Sequence, residues 1–190
     1  MSVSMYNATV PVLVHGLKNL STILKAGADH AKDKGIDPAV LVNARLYPDM
    51  FPLARQVQIA TDMAKGGAAR LAGVEIPSYP DTETSFPELQ KRLARTIAFV
   101  KSVSAAQLAG SAARDIQLQL RVGSIGFSGQ AYLLGWVMPN FYFHATTAYN
   151  ILRHNGVVLG KWDFLGKPPG VKPPAGKPPA RARKPAKKKR

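Results

Sequence analysis

Pro139-Asn140-Phe141-Tyr142-Phe143-His144-Ala145-Thr146-Thr147-Ala148-Tyr149-Asn150-Ile151-Leu152-Arg153-His154-Asn155-Gly156 reads as an amphipathic helix that carries a histidine on the face meant for the core. Asn140, His144, Thr147, Ala148 and Ile151 fall on one side, preceded by Leu133 and by Trp136 or Val137. Asn155-Gly156 supplies a C-terminal stop, and Arg153 and His154 suit the negative end of the helix dipole. A polar ring turned toward a core is unfavourable unless a partner satisfies it. His144 is therefore either a hydrogen-bonded structural residue or part of a site.

Working back toward the N-terminus, Gly129 opens this helical region and Pro139 kinks or restarts it. Ile116-Gln117-Leu118-Gln119-Leu120-Arg121-Val122 alternates as a half-buried strand does. Gly123-Ser124 can turn the chain and Ile125-Gly126-Phe127 can return it, a small hairpin that must pack on helices. Ser85-Phe86-Pro87-Glu88 matches a capping box and opens a helix to about Val103, with Leu89, Leu93, Ile97, Val100 and Val103 inward and Lys91, Arg92, Arg95 and Lys101 largely outside that stripe. A helix from about Asp49 to about Leu71 carries Leu53, Val57, Ala60, Ala64, Ala68 and Leu71 on one face, with Gln56 at its border and Gly73 as its stop. Asp37-Pro38 starts a short helical segment. The first helix runs from about Thr9 to about Lys32, with Thr9 as cap, Val10, Leu13, Leu17, Leu20 and Leu24 buried, and His15 on the wet face. His30, among charges near its end, reads as solvated, and Trp162, Phe164 and Leu165 fold back onto the bundle. Four such helices predict a mostly α chain, a four-helix bundle over residues 1–165 with a small β-hairpin insert.

Composition narrows the chemistry. The 190 residues include no cysteine, which removes disulfide scaffolds, zinc–thiolate sites and thiol nucleophiles, and fits a cytoplasmic protein. The N-terminus lacks the basic region of a signal peptide. No Lys, Arg, Asp or Glu occurs between Arg121 and Arg153, but Gln130, Asn140, His144 and several glycines interrupt that stretch, so a core helix and no membrane span is expected. No phosphate loop, nucleophile elbow or dinucleotide fingerprint is present.

The net charge of +15 is mostly a property of one segment. Ten of the 26 Lys and Arg residues lie in 166–190, which has no acid, and leave residues 1–165 with 16 bases against 11 acids. Lys167, Lys172 and Lys177 each precede a Pro-Pro pair, and Arg181, Arg183, Lys184, Lys187, Lys188, Lys189 and Arg190 follow. Proline and like-charge repulsion predict a disordered basic tail. Its ten charges are candidate contacts for nucleic acid or another polyanion, such as acidic lipid or polyphosphate. The tail also reads as a solubilising appendage. It has no aromatic residue, so base stacking is not indicated.

Four blocks together carry a family resemblance: residues 44–53 with Gln56-Val57-Gln58, residues 127–133, residues 139–156, and residues 160–166. Over about 4–166 the chain resembles a bacterial domain family of unknown function, numbered nineteen-ninety-three, grouped with the DinB/YfiT-like four-helix bundles. That superfamily often binds a divalent metal through three histidines, one on the second helix and two at i and i+4 on the last. By resemblance those places fall on Gln56, Asn140 and His144. Two of them are amides here, and amide oxygens are weak ligands for zinc or nickel. The alternative is a metal-free polar pocket of Gln56, Asn140, His144 and Thr147 beside Trp136, holding a small ligand or a protein partner. The resemblance is also compatible with a homodimer. Two functions follow as expectations: a binding module tethered by its tail, or a metal- or thiol-cofactor-dependent enzyme with His144 as its catalytic candidate.

Overall fold

The computed structural model describes residues 3–120 and 123–167. Four long helices form the bundle: α1 (Met5–Lys34), α3 (Leu53–Ala72), α4 (Phe86–Ser102) and α6 (Met138–His154), joined by the short helices α2 (Pro38–Val42), α5 (Gly129–Tyr132) and α7 (Lys161–Leu165). The pairs α3–α6, α1–α4 and α3–α4 make the broad contacts, and α7 lies on α1. The apolar stripes expected on α1 and α3 are buried in full, and α4 buries its stripe except for a half-buried Ile97. Burial of this kind, at roughly 25 cal/mol per Å² of apolar surface, is the main stabilising term. The small face of α3 allows close approach: a methyl group added at Gly67 would stand 2.6 Å from Val137.

The α1 helix begins a turn earlier than expected. Ser4, not Thr9, is its cap, accepting from the Asn7 amide, and Thr9 is fully buried inside the helix. The α3 helix begins at Leu53 because Pro52 is extended at its cap and Pro48 and Pro52 each hold the preceding residue out of helical geometry. Asp37, Ser85 and Gly73 act as expected: Asp37 accepts from Ala39, Ser85 from Glu88, and Gly73 closes α3 with a positive φ.

The hairpin consists of β1 (Asp115–Leu120) and β2 (Gly123–Ser128), antiparallel with Ile116 opposite Phe127 and Leu120 opposite Gly123. Gly123 and Ser124 are thus strand residues, not the turn. Ile116 and Leu118 enter the core, and Phe127 packs on Tyr132 and Trp136 at ring distances of 5.9 and 5.8 Å.

Between α5 and α6 the chain makes a wide π turn over Leu133–Val137, in which Met138 donates to the Leu133 carbonyl, five residues back. Pro139 follows at once and has no N–H to continue an ordinary turn. Downstream the core stripe is Val137, Phe141, Ala145, Ala148 and Leu152. Of the expected stripe, Leu133, Val137, Thr147, Ala148 and Ile151 are buried, while Asn140 and His144 stand at its edge, half-buried. Among the described residues no helix is long and apolar enough to cross a membrane. The basic tail, apart from Gly166 and Lys167, lies outside the described residues.

Candidate functional site

The site is assembled by the segment before α3. Leu53 donates to the Ala44 carbonyl and Arg45 to that of Met50, which folds 44–52 into a closed loop ahead of the helix. The loop presents the Phe51 carbonyl to the Gln56 amide, 3.0 Å away. A carbonyl only accepts, so Gln56 Nε2 donates there and Oε1 is left facing α6. His144 Nδ1 lies 2.7 Å from that oxygen and must carry the proton that bridges them. The chain Phe51–Gln56–His144 therefore fixes the imidazole tautomer and leaves Nε2 with its lone pair. Gln56 is almost wholly buried, while His144 is half-buried and its ring meets Phe143 edge-on at 5.2 Å.

Electrostatics favour the neutral ring. Burial first, and the positive charge of Arg55 second, hold the His144 pKa below its ordinary value of 6.5. Arg55 sits over the Phe51 ring at 5.9 Å, is paired with Asp81, and donates to Gln58.

The other expected pocket residues do not join this pair. Asn140 donates to the Trp136 carbonyl at 2.8 Å, within its own helical segment. Thr147 is buried and donates to Phe143 at 2.8 Å. The Trp136 ring is turned to the hairpin, against Phe127. Polar side chains on a helix can bond the carbonyl one turn back in preference to a distant partner, which periodicity cannot register.

The donor set does not fit the metal that the superfamily pattern implies. It offers one imidazole and two amides. The oxygen of Gln56 already accepts from His144, and Asn140 is engaged with its own helix. A divalent transition metal is held by imidazole, thiolate or carboxylate donors, and this set has only one of them. Among the described residues no group of three or more His, Cys, Asp or Glu side chains is arranged to hold a metal ion. What the pair can do is accept a hydrogen bond, or a proton, at Nε2 of a neutral imidazole.

Three arrangements were not foreseen. Arg92, placed among the outward residues of α4, is buried, with 1% of its side chain exposed. Its guanidinium bonds Asp62 at 2.7 Å, Asp81 at 3.0 Å, Glu83 at 3.1 Å, Thr61 at 2.7 Å and the Pro80 carbonyl at 3.1 Å. All its donors are satisfied, which is what makes a buried guanidinium tolerable. Arg92, Lys65 and Arg95 also surround the Tyr79 ring at 5.5, 5.0 and 4.2 Å. The signal was present: Arg92 and Thr96 share a helix face, and Asp81 and Glu83 precede the helix. Second, His15 is half-buried rather than solvated. Its Nε2 donates to the Leu165 carbonyl at 2.7 Å, beside an Asn19 that donates to Phe164 at 3.0 Å. Both contacts exist because α7 folds back on α1. Phe164 packs on Tyr149 at 5.9 Å, although Trp162 is 72% exposed. Third, His30 is half-buried, with its ring beside Gly156.

Residues 5–165 match the family described as Domain of unknown function (DUF1993). The chain is similar to the crystal structure of a DinB family member protein from Shewanella denitrificans, with 41% identity and a TM-score of 0.82, over 89% of this chain and 96% of that one. No curated protein matches. A helical bundle with a two-stranded hairpin, matched in sequence over nearly its whole length and in three dimensions, makes this chain a member of the DUF1993 family, a DinB-like family of unknown function.

Proposed function

We propose that this chain is a cytoplasmic, metal-free binding module whose ligand site centres on His144, and whose basic tail, with its ten Lys and Arg residues, tethers it to nucleic acid. The observation that carries the first half is the 2.7 Å bond between His144 Nδ1 and Gln56 Oε1. It spends the amide on positioning the ring and leaves one nitrogen to accept from a ligand N–H or O–H group. Phe143 and Phe51, 59% and 53% exposed, supply apolar surface beside it. The second half rests on composition alone, because the tail beyond Lys167 lies outside the described residues.

Two measurements test this. Titration of the untagged protein with Zn²⁺ or Ni²⁺ should show no tight stoichiometric binding, and one-to-one binding lost in His144→Ala would overturn the metal-free reading. The full chain should bind a DNA duplex with a steep salt dependence, up to about nine counterions released. A chain ending at Lys167 should lose that binding. Equal affinity of the two forms would refute the tether.

The neutral, oriented His144 also supports a second reading, an enzyme in which Nε2 acts as general base. His144-dependent turnover of an activated ester would favour it over simple binding.

A further inference from the structure

A second space opens between α1, α6 and α7. A cavity of about 180 Å³ lies between Leu20 and Ile23 of α1, Phe141 and Ala145 of α6, and Phe164 of α7. Neither His144 nor Gln56 lines it. Its polar side chains are few: His15, Asn19 and Tyr142 line it, and the first two already donate to the α7 carbonyls. A mostly apolar hollow of this size has room for a molecule about as large as benzene.

The same two residues continue into an open cleft lined by Pro11, Val14, Lys18 and Lys167. Lys18 and Lys167 are exposed, and neither has a carboxylate partner among the described residues. The two spaces thus adjoin at His15 and Asn19, a mostly apolar hollow beside an open rim that carries Lys18 and Lys167. Exposed cations prefer an anion, and a mostly apolar interior disfavours a charged group.

We propose that this is a binding site for a small aromatic monocarboxylate, ring in the cavity and carboxylate at Lys18 and Lys167. The α7 turn is its outer wall, held shut by His15 and Asn19. The site is independent of the His144 reading, since it shares no residue with that pair.

The experiment is isothermal titration of the full chain with phenylacetate and with toluene, its uncharged counterpart. Phenylacetate should bind one to one and more tightly than toluene. Ala145→Leu, which fills the cavity, should abolish binding of both, with circular dichroism checking that the variant is folded. Lys18→Glu with Lys167→Glu changes only exposed residues, and carries the test alone if A145L does not fold. It should weaken phenylacetate about tenfold and leave toluene unchanged. His144→Ala should leave both affinities as they are. No binding of phenylacetate at millimolar concentration, or equal affinity in the wild type and the double Lys variant, would overturn the proposal.

Discussion

His144 owes its state to two neighbours, and the consequence can be measured. Its folded pKa is depressed, so the native protein binds fewer protons at this ring than the unfolded chain does. The associated stability is fully present above the unfolded pKa, near 6.5. It is lost as pH falls from there to the folded value, and then levels off. The melting temperature should therefore drop more steeply below pH 6.5 in the wild type than in His144→Gln, and parallel curves would refute this. Arg92 behaves differently. Its removal leaves Asp62, Asp81 and Glu83 around an apolar side chain, and Arg92→Leu should destabilise by about 3 kcal/mol in urea denaturation. Gln56 was legible in the sequence as a border residue of α3. That it bonds His144 was not, since the two are 88 residues apart and only helix packing brings them together.

At the scale of elements, α6 shows where periodicity stops working. The α3 stripe from Leu53 to Leu71 was readable because its opposite face is charged or polar, as Arg55, Gln58, Asp62 and Lys65 attest. The segment from 122 to 152 contains no charge at all, so several faces look equally apolar and no single register stands out. The π turn ahead of Pro139 adds a further rotation, and the core falls on Phe141 and Ala145 rather than on Asn140 and His144. The start of this region is fixed more tightly still. A methyl group at Gly129 would run into the backbone oxygen of Ser111, a clash that no side-chain rotation relieves. Gly129→Ala should therefore cost about 2–3 kcal/mol and lower the melting temperature by roughly 5 °C or more.

For the whole molecule, the described core accounts for the bundle's stability without residues 168–190. Among the described residues the core cluster draws on α1 to α6 and on the arm through Leu159. A chain ending at Lys167 should keep the melting temperature of the full chain within a degree or two, and a large drop would mean that the tail packs on the bundle. Four residue blocks were enough to recognise the family, and in space they are joined: the 44–53 loop holds Gln56 against His144 of the 139–156 block, and Phe164 of the 160–166 block packs on Tyr149 of the same helix. The sequence by itself determined the four amphipathic helices, the helix caps at Asp37, Ser85 and Gly73, the hairpin and the charge asymmetry, because each is set by neighbours within a few positions. Only the tertiary structure decided the burial of Arg92, the partner of His144, the role of His15 and the cavity behind α7. Those depend on which helix faces which, and on polar groups choosing among partners that are distant along the chain and a few ångströms apart in the fold.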